Sequence, residues 1–482
     1  MVRRSNDAVV VGAGPNGLSA AVTLARAGLS VTVLEAAAEI GGGTRTAQLT
    51  VPGVLHDVCS AVHPLAVASP FLASLPLEAH GLEWRWPAVD LAHPLDGGRA
   101  GVMVRSIADT AAGLGSAGAP WRRTFGPLVE RFPAIAEDTL RPLLRVPHHP
   151  VALAQFGLRA GLPATLLARR FPTEESAALF AGTAAHACAP LGGLASAAVG
   201  VMLTTAGHAV GWPVAAGGSQ AIANALAGVL RSHGGTIETG VEVRSMAELG
   251  GVGLVLFDTA PSALARIAGD ALDPRVRRAL RRWRHGPAAF KVDLAIEGGV
   301  PWTAPACRRA GTVHLGGTLR EVVAAEAEVW AGRMPARPFV LVAQQYLCDP
   351  SRSAGDVHPV YAYAHVPNGY DGDATESVLH QLERFAPGVR DRIVGIHVEG
   401  PAALERSNPN AVGGDMLTGA NSARQLLIRP RLSSHPYRTG IPGVYLCSAA
   451  TPPGAGAHGM SGHNAASAAL SDLRGGRPKG SD

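Results

Sequence analysis

The sequence predicts an α/β chain in which a Rossmann-like dinucleotide-binding domain carries an inserted α+β domain. Three observations predict it. Near the start, a glycine-spaced turn lies between an apolar strand and an Ala-rich helix. Near the end, a Pro/Gly-rich loop separates another apolar strand from another Ala-rich helix. The 482 residues exceed what one core usually holds, about 250–300 residues.

Residues 8–11 are wholly apolar, as a strand buried in a parallel sheet should be. Gly12, Gly14 and Gly17 follow in G-x-G-x-x-G spacing, with Pro15 and Asn16 between the last two. The first glycine permits a tight turn, the second lets backbone approach a pyrophosphate, and the third lets helix pack on strand. The helix presents free amides and the positive end of its dipole to the phosphates, and Gly28 is placed to end it. A second apolar run, residues 31–34, leads to Glu35, whose carboxylate can accept from ribose hydroxyls.

Gly41, Gly42, Gly43, Thr44 and Arg45 come next. A glycine run with an arginine brings the chain close to a flavin diphosphate and ribityl, and the guanidinium balances charge. The pattern Glu35-x5-Gly41-Gly42-x2-Arg45-Thr46 resembles the second signature of the FAD-dependent superfamily that holds amine oxidases and phytoene desaturases. That resemblance implies FAD as cofactor and a two-dinucleotide-binding-domain flavoprotein fold.

The C-terminal segment is similar to the closing flavin motif of carotenoid-desaturase-like proteins. It contains Gly454, Gly456, His458, Gly459, Met460, Gly462 and Asn464, and its helix start can face the pyrimidine edge of the flavin. Ser448-Ala449 stands where many flavoproteins carry an acid. Gly217-Gly218-Ser219-Gln220, the strand near Val243, Asn408-Pro409-Asn410, Gly413-Gly414-Asp415 and Arg429-Pro430 also match the phytoene-dehydrogenase-related branch. In that branch the strand near Val243 lends its backbone to the adenine.

These segments set the expected domains. Residues 1–70, 208–285 and 396–474 form the FAD-binding domain. Residues 71–207, Ala/Leu/Pro-rich and expected to be helical, join residues 286–395 as the substrate domain. Residues 475–482 read as a flexible tail.

Composition excludes several classes. Hydrophobic residues make up 47% and charged residues 16%, the reverse of a disordered chain. A formal charge of +5 calls for no nucleic-acid partner. The five cysteines, Cys59, Cys188, Cys307, Cys348 and Cys447, show neither a C-x-x-C pair nor metal-ligand spacing. They read as reduced thiols in a cytoplasmic protein with no metal. Residues 1–7 leave no room for a secretory signal before the first strand. The uncharged stretch 187–207 contains Pro190 and several glycines, and reads as buried core rather than a membrane span.

Catalytic residues are harder to read, because a flavin carries its own chemistry. His458 is the candidate acid/base, with a loop-bracing histidine as the alternative. Asp57, Ser60 and His63 fall on an expected strand past the arginine loop, where packing is the simpler role. Tyr361, Tyr363 and His365 alternate along residues 360–366 and share one face, which either lines a substrate cavity or faces water. Lys291 reads as a surface lysine. Behind Asp273-Pro274, Arg275, Arg277, Arg278, Arg281, Arg282 and Arg284 surround Val276, Leu280 and Trp283 at helical spacing. Such a helix is either solvated or rests peripherally on the inner face of an anionic membrane.

The resemblance implies a dehydrogenase or desaturase, or a related saturase or isomerase. It would act on C–C bonds of an apolar, isoprenoid-like substrate by hydride transfer to flavin. An amine oxidase and a flavin-bearing binding protein are the alternatives.

Overall fold

The structure is a computed structural model and describes residues 7–475. Residues 1–6, and residues 476–482 of the expected flexible tail at 475–482, lie outside the described residues. In chain order the main strands are β1 (Ala8–Val11), β2 (Val31–Glu35), β3 (Val89–Pro94), β4 (Ala100–Met103), β5 (Thr236–Thr239) and β6 (Leu254–Phe257). They continue as β7 (Ala288–Glu297), β8 (Ala310–Leu315), β9 (Val340–Ala343), β10 (Val357–Val366), β11 (Ile393–Glu399) and β12 (Val444–Leu446). The helices that shape the site are α1 (Pro15–Arg26), α2 (Pro150–Ala160), α3 (Glu174–Ala185), α4 (Ala197–Val210), α5 (Gln220–Ser232), α6 (Pro274–Arg281), α7 (Leu319–Trp330) and α8 (Met460–Arg474).

The first sheet is parallel, in the order β12-β6-β1-β2-β5. Its strands come from both ends of the chain and from the middle. The Val- and Leu-rich runs β1 and β6 are buried along their whole length, as helices on both faces of a parallel sheet require. Helices α1, α5 and α8 pack together on one face, and α6 lies on the other beside Val9, Val255 and Val444. This is the α/β architecture the sequence predicts.

The second sheet has seven strands in the order β11-β7-β10-β9-β8-β3-β4. All its pairings are antiparallel except β8 with β3. Even-numbered residues of β7 and β10, such as Val292, Leu294, Ala362 and Ala364, pack into one core. The odd-numbered face looks the other way, toward α3 and α4.

Two expectations need correction. Residues 71–207 are not purely helical, because β3 and β4 lie within them and extend the second sheet. β3 carries Asp90 and His93, so it lacks a clean apolar alternation, yet all six of its residues are buried. Asp90 accepts the backbone N–H of Trp212 at 2.9 Å and His93 Nε2 meets the Gly317 carbonyl at 2.7 Å, so each polar side chain has an internal partner. The boundary expected at residue 396 falls inside β11.

The uncharged stretch 187–207 runs through a loop into α4. Among the described residues no helix is long and apolar enough to cross a membrane. In α6, Asp273 caps the first turn, Val276, Leu280 and Trp283 are buried, and Arg275, Arg278, Arg281, Arg282 and Arg284 are exposed.

Candidate functional site

A cavity of about 1330 Å³ opens between the two sheets. One end is the glycine turn. Gly12 has φ +104°, and a Cβ there would sit 2.8 Å from the Asp258 carbonyl oxygen. A Cβ on Gly17 would lie 2.0 Å from the Gly12 carbonyl oxygen, so only glycine lets α1 fold back this closely.

The second glycine run folds onto the first. Gly41 donates its N–H to the Ala13 carbonyl at 2.9 Å, and a Cβ on Gly42 would come within 3.2 Å of the Gly14 Cα. Arg45 donates to the carbonyls of Gly42 (3.0 Å) and Ser407 (2.7 Å), which fixes its stem at the cavity wall. Glu35 accepts the N–H groups of Ala13 (2.7 Å) and Ala37 (2.9 Å). It still lines the cavity, so it braces the turn and keeps lone pairs for a ligand.

Of the residues singled out from the sequence, Gly12, Gly14, Pro15, Asn16, Glu35, Gly42, Gly43, Thr44, Arg45 and Val243 line this cavity, as do Gly456, His458, Tyr361 and Tyr363. Gly17, Gly41, Gly454, Gly459, Met460, Gly462, Asn464 and His365 do not line it. Gly462 serves packing, since a Cβ on it would lie 1.8 Å from the Asn16 carbonyl oxygen. Asn464 turns away and donates to the Leu140 carbonyl at 3.1 Å.

His458 is engaged by its own loop. Its Nδ1 accepts the Met460 N–H at 3.0 Å, and its backbone carbonyl accepts the Ser69 hydroxyl at 2.7 Å. Burial lowers its pKa to about 4, so the ring is neutral at pH 7. This geometry gives it a bracing role in the loop.

Asp57 is fully buried and accepts the Ser219 N–H at 2.7 Å and the Thr46 hydroxyl at 3.0 Å, besides pairing with Arg352. Only His56–Asp57 of the strand expected there forms. Ser60 and His63 lie in the loop beyond and line the cavity. His63 shares a hydrogen bond of 2.8 Å with Ser219, and burial lowers its pKa to about 4.

Lys291 is not a surface residue. It is fully buried on strand β7, pairs with Asp293, and stands 4.8 Å from the centre of the Tyr361 ring. Strand register explains the cluster, because Lys291 pairs with Tyr363 and Asp293 with Tyr361 across β7 and β10. Tyr361, Tyr363 and His365 do share a face, but it is buried and faces no water. His365 bonds Glu326 at 2.7 Å and approaches the Cys188 sulfur at 3.4 Å.

Two cavity residues have roles that the sequence reading missed. Asp258, at the end of β6, accepts the Gly17 N–H at 2.8 Å. Burial pushes its pKa up to about 7, and the Glu35 charge adds to the shift. An acid closing an apolar run, as Glu35 closes the run at 31–34, was a usable signal. Arg429, read only as part of a family turn, presents a buried guanidinium at the cavity wall.

Comparison with known proteins agrees with this architecture. A Rossmann-like NAD(P)-binding domain model matches residues 10–72. The chain is 24% identical over 559 aligned residues to the rat pyridine nucleotide-disulfide oxidoreductase domain-containing protein 2, covering 97% of this chain and 94% of that one. It is 26% identical over 556 aligned residues to an uncharacterized protein of Mycobacterium tuberculosis, covering 98% of each. Among solved structures, an oxidoreductase from Methanosarcina mazei superposes with a TM-score of 0.61 at 15% identity, covering 97% of this chain and 99% of that one. Cyclohexylamine oxidase from Brevibacterium oxydans superposes with a TM-score of 0.56 at 16% identity, covering 98% and 100%. Putrescine oxidase bound to putrescine gives 0.60 at 17% identity, covering 98% and 99%.

The chain has the fold of the FAD-dependent oxidoreductases with a substrate domain. It is also related along nearly its full length to the pyridine nucleotide-disulfide oxidoreductase domain-containing protein 2.

Proposed function

We propose that the chain is an FAD-dependent dehydrogenase or desaturase, or a related saturase or isomerase, acting on C–C bonds of an apolar, isoprenoid-like substrate. One observation carries the reading. A single cavity runs from the dinucleotide turn to a chamber walled by residues such as Leu153, Phe156, Met202, Leu203, Leu341 and Leu426.

The residues present fit FAD. Buried side-chain oxygens of Asn16, Thr259 and Ser448 line the cavity without a hydrogen-bond partner. Buried polar atoms left unmet are costly, and a dinucleotide with its ring system offers partners along that wall. The turn at Gly12–Gly17 and the start of α1 would hold the diphosphate, Glu35 a ribose, and the strand near Val243 the adenine. Arg45 would add positive charge, and the 454–458 loop would border the ring.

When bound, FAD supplies hydride acceptance. The chain binds and orients the partners and keeps water out. The histidines on the cavity wall, His63, His186 and His458, are held neutral by burial, with pKa values lowered to about 4, 3 and 4. Neutral histidines beside an apolar chamber suit hydride removal from carbon and supply no imidazolium acid. The test is anaerobic mixing of the flavin-loaded protein with isoprenoid and other apolar substrates. Bleaching of the flavin band supports the reading. Tight flavin that no such substrate reduces would contradict it, and if amines also fail to reduce it a flavin-bearing binding protein is left.

A second reading, amine oxidation, is favoured by the fold shared with two amine oxidases and by the cavity-wall pair Tyr361 and Tyr363, edge-on with centroids 5.8 Å apart. Peroxide release on a panel of primary amines, without bleaching by apolar substrates, would select it.

A further inference from the structure

The cavity wall contains a positive charge that no group of the described residues neutralises. Arg429 is 3% exposed and lines the cavity, and its Nε and Nη2 have no hydrogen-bond partner. Its guanidinium stands 5.6 Å from the centre of the Trp283 ring. It also lies against the closing loop, where a Cβ on Gly454 would sit 2.0 Å from Nη1.

The carboxylate that acts on it, Asp415, is already engaged. Its Oδ2 accepts the Gly286 N–H at 2.9 Å and meets His285 Nδ1 at 3.3 Å, while its Oδ1 accepts the Leu417 N–H at 2.9 Å. Burial accordingly lowers the guanidinium pKa to about 10. A buried charge without a partner is strongly unfavourable. Arginine's planar fork is suited to binding a carboxylate or phosphate through paired hydrogen bonds.

The other charged side chains on the wall cluster around the dinucleotide turn. They are Glu35, Glu39, Arg45, Glu242, Asp258, Arg266 and Arg406. The 406–410 segment is tied there by Arg45 donating to the Ser407 carbonyl and by the Ala260 N–H donating to Asn410. Arg429 instead lies beside Trp283 and the closing loop, at the end of the 416–429 segment that also gives Met416, Leu426 and Leu427 to the wall.

We propose that Arg429 binds the oxyanion head, a carboxylate or phosphate, of an amphipathic substrate whose apolar body fills the leucine-lined chamber. This rests on the flavoenzyme reading and sharpens it: the substrate is an apolar acid rather than a neutral hydrocarbon. A cationic amine would be repelled at the same point.

The test uses the flavin-loaded protein and calorimetric titration with decanoate, decyl phosphate, decanol and decylamine. Flavin content is measured separately by absorbance. Wild-type protein should bind at least one of the two anions about ten-fold or more tightly than decanol, and the preferred anion identifies the head group. Arg429→Gln should remove that preference while retaining FAD, and Arg429→Lys should restore part of it. Equal binding of anions and decanol by wild type, a measurement that needs no variant to fold, would overturn the proposal. So would an anion preference that survives Arg429→Gln, or loss of FAD from that variant with anion preference intact, which would assign the guanidinium to the cofactor. A wild-type protein that takes up no FAD refutes the flavoenzyme reading, and the anion titration still decides whether Arg429 binds an oxyanion.

Discussion

Asp258 places a carboxyl group against the amide that opens the anion-binding turn. The Gly17 N–H points at its Oδ2, and a Cβ on Gly14 would lie 2.9 Å from the same oxygen. Glu35 is the charged neighbour that raises its pKa, and the Cys447 thiol, itself pushed up by burial, also faces it. The raised pKa, about 7, fixes the sign. Below it the carboxyl is protonated and tolerates a diphosphate, and above it the carboxylate repels one. FAD affinity should therefore fall as pH rises through 7, by at most about ten-fold per unit for one coupled proton. Asp258→Asn should flatten that dependence. Flavin fluorescence titrations across about pH 6 to 8 check it, and equal slopes in both proteins would refute the coupling. Gly14→Glu should abolish loading altogether, since it drives a second carboxylate into the diphosphate seat; a normal flavin yield would refute the turn assignment. The glycines and Glu35 were legible because their meaning lies in local spacing. Asp258 and Arg429 were not, because their meaning comes from groups far along the chain, 241 residues away in the bond from Gly17 to Asp258.

Helices α1 and α8 are joined by close backbone packing rather than large side chains. Gly462 rests on the Asn16 carbonyl, and a Cβ on Gly459 would meet the Ser19 hydroxyl at 2.1 Å. Gly462→Val must push α8 away from the turn. The expected cost is about 1–3 kcal/mol of stability, typical of overpacking, together with weaker FAD retention. Thermal unfolding and flavin content read the two effects, and unchanged values in both would show that the helices are not held in this register. Strand β10 was readable from residue alternation, and α6 from its Asp273-Pro274 start and the helical spacing of Val276, Leu280 and Trp283. β3 escaped because a strand buried along its whole length and carrying Asp90 and His93 shows no period-two pattern. Lys291 escaped for a related reason: its partner Asp293 sits two residues on, and only the sheet shows that the pair is buried.

The two sheets meet across a buried ion network built from distant parts of the chain. Arg352 pairs with Asp57 and Asp349 and donates to the Ala215 carbonyl at 2.7 Å, while Asp349 accepts the Gly217 N–H at 2.7 Å. Asp57 comes from the glycine-loop segment, Arg352 from the second insertion, and Ala215 from between them. Arg352→Met would leave the buried Asp57 carboxylate without its cation, while Asp349 keeps Arg85 at 3.1 Å, and should cost about 3–5 kcal/mol, measured by denaturant unfolding; a loss below about 1 kcal/mol would remove the network from the account. The cavity that this network frames was not legible in the sequence, because its walls come from at least five separated segments. The nucleotide end could be read from its motifs, whereas the chamber end appeared only once α2 and α4 were placed. The most direct test of the central claim is the visible absorption spectrum of the purified protein, followed by mass identification of the cofactor released on heating. The account predicts a flavin band and free FAD. A colourless protein that also fails to take up added FAD would contradict it.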